Sequence, residues 1–184
     1  SDQVTLPVAL ADRMDMLSVA FSLKMIPSGS ADPYALRRMA QGVVQIVLGK
    51  QLPLGWKELS SLSVQILRDQ QEFTNEPDIL EKQLVDFLDQ RERWYLQEKG
   101  LRHDLIDAVL KPTSGTPLNR LNFASTLSED LNLPEFKKSV EAVVRAINIT
   151  NKYAEESQAA KLEEASLTHD TELALYQALE AVSY

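Results

Sequence analysis

Apolar residues along this 184-residue chain recur at steps of three and four, the spacing of one face of an α-helix, and alternating strand-like stretches are scarce. The spacing predicts a helix over about 7–24. There Val8, Leu10, Ala11, Met14, Leu17, Val19 and Phe21 form a broad apolar face, interrupted by Asp12, Arg13 and Asp15. Pro27-Ser28-Gly29-Ser30 breaks the pattern. A second helix is expected to open at Asp32-Pro33, with Asp32 as N-cap and Pro33 at the first helical position. Leu36, Met39, Ala40, Val43, Val44 and Val47 follow at helical spacing, and Gly49 ends the run. Leu59, Leu62, Ile66 and Leu67 mark a third helix over about 57–72.

The longest helix, about 77–99, starts at Pro77 and stops at Gly100 in a left-handed cap. Leu80, Leu84, Phe87, Leu88 and Tyr95 supply its buried stripe, with Arg91 inside it. A short helix over about 102–111 carries Leu105, Ile106, Val109 and Leu110. The hexapeptide from Pro112 to Pro117 is the most linker-like stretch, which places a domain boundary between 112 and 113. Helices over about 118–130, 134–160 and 168–182 complete the reading. The expected fold class is all-α, built of helical bundles.

Composition narrows the function. With 44% apolar residues the chain has enough to bury a core. It has no cysteine, which excludes a disulfide framework and a thiolate metal site and fits a reducing, cytoplasmic setting. No run of 18 apolar residues is present to span a membrane, and the N-terminus lacks a basic-then-apolar signal region. The net charge is -8 but unevenly spread: residues 1–52 carry +1, 53–133 carry -5, 134–152 carry +2 and 153–184 carry -6. Such a chain repels a phosphate backbone as a whole, so any nucleic-acid contact must use local basic patches.

Two such patches stand out. Arg37 and Arg38 are adjacent, about 100° apart on a helix, so at least one is available to a phosphate or a carboxylate. Lys138, Arg145 and Lys152 are seven apart and form a slowly drifting stripe, with Lys137 nearby, opposite Phe136, Val140, Val143 and Ile147. That stripe suits a phosphate backbone; a merely solvated face is the plain alternative. Catalytic chemistry is harder to find. His103-Asp104, with Asp12, invites an HD-type metal phosphohydrolase reading, but one imidazole and a few carboxylates make a poor shell, and the other histidine, His169, lies in the acidic end. Asp104 is better explained by the positive end of its helix. Asp12 and Asp15 share a face beside Arg13, which reads as solvated or ion-paired. A glycine-rich phosphate loop, a nucleophile elbow and a catalytic cysteine are all missing, so the reading assigns no catalytic residue and no metal ligand.

Four segments in order resemble the beta subunit of the bacterial-type, two-subunit glycyl-tRNA synthetase. Val8-Ala9-Leu10-Ala11-Asp12-Arg13-Met14-Asp15 is similar to the family's V-A-L-A-D-K-L-D, and the stretch from Ile26 to Arg38 to its P-T-G-S-x-D-P-F-A-L-R-R. Leu101 to Leu110 is similar to a stretch ending I-D-A-V-L, and Arg145, Asn148 and Ile149 to part of K-R-V-x-N-I, with Val144 in place of the lysine. The resemblance implies the end of an HD-like helical domain and connector over 1–112, then the opening helices of an anticodon-binding domain over 113–184. It implies no cofactor on this stretch, ATP with magnesium being used by the holoenzyme. The implied partners are the alpha subunit, which makes the adenylate, and tRNA(Gly). Arg37, Arg38, Lys138, Arg145 and Lys152 are then the candidate tRNA contacts. A purely structural assembly role is the remaining alternative. Leu173, Leu175, Leu179 and Val182 predict self-association through the last helix, because the family's covering helices would follow it.

Overall fold

In a computed structural model the described residues are 2–29, 31–70, 76–111, 115–153 and 167–182; for residues 2, 3, 152, 153 and 179–182 only the backbone is described. They form eight α-helices: α1 (Asp2–Ser22), α2 (Leu36–Gly49), α3 (Trp56–Gln70), α4 (Pro77–Glu98), α5 (His103–Leu110), α6 (Pro117–Asp130), α7 (Pro134–Tyr153) and α8 (Asp170–Val182). The fold is all-α, as its periodicity predicts.

Helices α1 to α4 pack around one core, with α4 against the other three and α1 against both α2 and α3. Leu17, Phe21, Val43, Val44, Val47, Leu80, Leu84 and Leu88 are sealed in it. Each such side chain contributes roughly 1.5–3 kcal/mol by leaving water. The Phe21 and Phe87 rings meet at 5.1 Å and 60°, a tilted pairing that suits the charge distribution of aromatic rings. At the α1–α2 crossing, Arg13 lies over Gly42: a Cβ at position 42 would come within 2.7 Å of Arg13 Nε.

Two faces differ from expectation. In α3 the inward residues are Trp56, Ser60, Val64 and Leu67, whereas Leu62 and Ile66 face out. The large indole of Trp56 sets the rotation by taking the core position. In α1, Val8 is exposed, and the core face begins at Leu10.

Three helices end in the same motif, in which a left-handed residue lets two backbone N–H groups reach back to the last turn. After α1 the left-handed residue is Lys24, with Lys24 donating to Phe21 and Met25 to Ala20. After α2 it is Gln51, so Gly49 is the last helical residue and the left-handed turn falls two residues beyond it. After α4 it is Gly100, as expected.

Helices α5 and α6 pack on each other around Ile106, Val109, Ala124 and Leu96 of α4. The compact units divide between Leu133 and Pro134. Helix α6 therefore packs with the first unit, beyond the boundary expected at 112/113. The second unit holds α7 and α8. Helix α7 is described to Tyr153, and the rest of the stretch expected to 160 lies outside the described residues.

Candidate functional site

The segment between α1 and α2 is held by side chains rather than by core packing. Asp32 Oδ1 accepts the Leu36 N–H at 2.8 Å and Oδ2 accepts the Arg37 N–H at 3.1 Å. Asp32 therefore does cap α2, but from a position ahead of the N-cap. Its own carbonyl accepts the Ala35 N–H at 3.1 Å, closing a turn with Pro33 at its corner. Pro33 is thus a turn residue and not the first helical one. The N-cap residue is Ala35, at φ 56° and ψ 31°. Arg37 closes the arrangement: Nη2 donates to Gly29 O at 2.7 Å and Nη1 to Ala31 O at 3.2 Å. One arginine of the pair is committed to its own loop. The other, Arg38, is exposed and makes no hydrogen bond or ion pair with the described residues.

The same loop lines an open hollow of about 210 Å³, with Met25, Ile26, Pro27, Asp32, Pro33, Tyr34 and Leu36 among its walls. Tyr34 is 52% exposed, and Met25 and Ile26 are each 40% exposed. Arg91, on α4, stacks over the Phe87 ring at 5.6 Å. Its Nε is buried with no hydrogen-bond partner, and no described carboxylate lies in ion-pair range. Burial pulls its pKa below the ordinary arginine value; the positive charge of Arg37 adds to this and Asp32 opposes it.

In the second unit, Lys138 and Arg145 are exposed on α7. Lys152 is on the same helix by backbone, and its side chain lies outside the described residues. Glu141 falls between Lys138 and Arg145 on that face and reduces the stripe's charge. On the opposite face Val140, Val143 and Ile147 are 43%, 57% and 50% exposed. In α8, Leu175 is exposed and Leu173 half-buried, and the side chains of Leu179 and Val182 lie outside the described residues.

The motif that suggested metal chemistry is engaged otherwise. Asp104 accepts two hydrogen bonds from Arg102, at 3.1 and 2.7 Å, which hold its carboxyl below the usual carboxylate range. His103 Nε2 lies 3.2 Å from Gln97 Nε2. Arg13 donates to Ala9 O at 2.8 Å and pairs with neither Asp12 nor Asp15. Among the described residues no three acidic or histidine side chains gather to hold an ion.

Sequence reasoning missed a buried polar cluster. Glu92 is fully buried on α4. Trp56 Nε1 donates to its Oε2 at 2.6 Å, and Arg120 of α6 donates from Nε to its Oε1 at 2.9 Å. Arg120 Nη2 also bonds Glu92 Oε2, and reaches Asp89 at 3.2 Å. Burial works to lower the Arg120 pKa, but its bonds to Glu92 and the charge of Asp89 raise it on balance. The signal was present in the sequence: Glu92 is four residues beyond Leu88 on the buried stripe, where a carboxylate requires a partner. The cluster joins α3, α4 and α6, which explains why α6 stays with the first unit.

Comparison with known proteins adds an independent line. Residues 1–111 match the family model described as glycyl-tRNA synthetase beta subunit. A glycine–tRNA ligase beta subunit from Halalkalibacterium halodurans is 41% identical over 145 residues, 79% of this chain and 21% of the relative. That of Bacillus subtilis is 37% identical over 145 residues, 79% of this chain and 19% of the relative. That of Desulfitobacterium hafniense is 36% identical over 172 residues, 94% of this chain and 24% of the relative. The chain thus spans roughly a fifth to a quarter of the length of these curated relatives.

Proposed function

The chain belongs to the glycyl-tRNA synthetase beta subunit family, and from that premise we propose that it forms part of a beta subunit that holds tRNA(Gly) while glycine is joined to it with the alpha subunit. The observation that carries this reading is the set of exposed, unpaired cations on helical supports: Arg38 on α2, and Lys138 and Arg145 on α7. Lys152 extends the α7 set in sequence. These side chains attract phosphates without reading bases, so they position an RNA and leave its chemistry to another site. Arg37 acts indirectly in this scheme, by fixing the loop from which Arg38 follows.

ATP and magnesium belong to the holoenzyme's reaction on the alpha subunit. The work takes place in the cytoplasm. In family terms residues 1–112 are the end of an HD-like domain with its connector, and 113–184 open an anticodon-binding domain. The exposed aliphatic face of α7 favours a second role, assembly with the alpha subunit or with the rest of beta. The outward Leu175 supports self-association of the isolated chain.

The test is tRNA(Gly) binding by the intact alpha–beta assembly across a salt series. Removing Arg38, Lys138, Arg145 and Lys152 as alanines should weaken binding, and each lost phosphate contact should reduce the slope of log K against log salt by roughly 0.7–0.9. Unchanged affinity and slope in the quadruple variant would overturn the assignment.

A further inference from the structure

Helix α6 is anchored differently from the helices of the core. Its buried residues are Pro117 and Ala124, both small, while Leu121 and Leu127 are half-buried and Phe123, its largest apolar side chain, is 58% exposed. So little apolar area holds a helix weakly, and apolar contact tolerates sliding and rotation because it has no preferred direction. What α6 has instead is Arg120. Its Nε and Nη2 take both oxygens of Glu92, a fork that fixes distance and angle together. Glu92 is not free to follow a moving partner, because Trp56 Nε1 on α3 holds its Oε2. The Arg120 side chain is 11% exposed and that of Glu92 is sealed.

Stability does not account for this arrangement. A buried ion pair can often be exchanged for packed apolar side chains at no loss of stability, so charge kept in an interior is better explained by what it orients. Arg120 is the fourth residue of α6, and ten more follow to Asp130, about 15 Å of helix at the usual rise. Any rotation about the clamp is carried to that far end. Residues 131–133 alone separate it from Pro134, the first residue of α7, and the Leu133 N–H donates to Asp130 O at 2.8 Å, a closed turn rather than slack chain.

We infer that Arg120 is a positioning residue for RNA binding: its fork on Glu92 fixes the direction of α6, and thereby the root from which Lys138 and Arg145 of α7 are offered to phosphate. This rests on the tRNA-binding reading above and deepens it, by naming a residue that touches no RNA yet sets how well the α7 cations engage it. Arg120 itself is too enclosed to meet a phosphate, and its charge is already answered by Glu92 and Asp89.

Two variants loosen the fork without stranding a charge. Arg120→Lys keeps the cation but replaces the planar fork by a single mobile ammonium. Glu92→Gln with Arg120→Met removes both charges and leaves an acceptor for the Trp56 indole. Because the chain has no cysteine, Lys82→Cys on α4 and Glu129→Cys on α6, both exposed, take a pair of spin labels at unique positions. The distance distribution between the labels should be narrow in the parent and broaden in both variants, while the urea midpoints stay close to the parent's. In the intact alpha–beta assembly each variant should weaken tRNA(Gly) binding about 10-fold at unchanged salt slope, since the same cations are present and only their ordering is lost. In a Lys138→Ala/Arg145→Ala background the same variants should have no further effect, whereas a general loss of structure would persist there. Distributions that stay narrow in both variants, or parental affinity with the α7 cations still required, would overturn the positioning role and leave the tRNA reading standing. Affinity that falls only in step with the urea midpoint would also overturn it, making Arg120 a residue of stability alone. If Lys138→Ala/Arg145→Ala by itself costs no affinity, the tRNA reading and the positioning role fall together.

Discussion

Arg120 on α6 grips Glu92 on α4 with two of its nitrogens, and the carboxylate it holds has no exposure to solvent. A third element joins through Trp56 Nε1. Removing one partner of such a pair strands a charge in the interior. Arg120→Ala should therefore cost about 3–5 kcal/mol, read by urea unfolding. The Trp56 environment should change with it, giving an altered emission spectrum under native conditions. A loss below about 1 kcal/mol, the range of an exposed pair, would show that α6 is held by its apolar contacts alone.

Asp32 and Arg37 make different predictions although they brace the same loop. Asp32→Ala removes the cap on two N–H groups of α2 and should cost about 1 kcal/mol of stability. Arg37→Ala leaves the cap in place and frees the Gly29 and Ala31 carbonyls to water. Its effect should appear as faster amide exchange over 26–35 with little change in global unfolding. Equal unfolding losses in the two variants would contradict this division of labour.

The left-handed positions can be compared directly. Lys24→Gly and Gln51→Gly relieve a side chain from an unfavourable backbone region, and each should stabilise by up to about 1 kcal/mol. Gly100→Ala makes the opposite change at φ +80° and should cost about 1–2 kcal/mol. Thermal unfolding of the three variants beside the parent checks the signs.

Titration separates two aspartates. Burial pushes the Asp89 carboxyl above its ordinary value of 3.8; the Arg120 charge opposes this, and Glu92 and Asp86 add to the rise. A raised folded pKa means that the folded state holds the proton longer than the unfolded chain. The contribution of Asp89 is therefore fully present below pH 3.8 and is lost as pH rises through the folded pKa. Asp104 behaves oppositely: the Arg102 bonds favour its charge, so its contribution is present above pH 3.8 and is lost on acidification through its lowered pKa. Carboxyl carbon shifts followed by NMR should place the Asp89 midpoint above 3.8 and the Asp104 midpoint below it, and Asp89→Asn should remove the first effect from the stability profile.

Much of the fold was legible because helix periodicity is local. Proline and glycine punctuate it at Pro77, Gly100 and Pro117, and the helices begin or end there. What failed needed three-dimensional partners. Leu62 and Ile66 read as core until Trp56, at the very start of α3, claimed the inward face. Arg91 drew attention as the charge in the α4 stripe, while its neighbour Glu92 is the group that is wholly buried, because its partner Arg120 lies on a helix far along the chain. At the candidate site, adjacency correctly marked Arg37 and Arg38 as different in orientation. It could not say which was free, since that depends on carbonyls presented by a turn at Gly29 and Ala31.

The close passage of Arg13 over Gly42 links two positions that are remote in sequence. Any side chain at 42 must displace a guanidinium already anchored to the Ala9 carbonyl. The two sites should thus drift through evolution as a pair. Homologues with alanine or serine at 42 are expected to carry a shorter or more pliant residue at 13, and a sequence survey can score that covariation without any further structure.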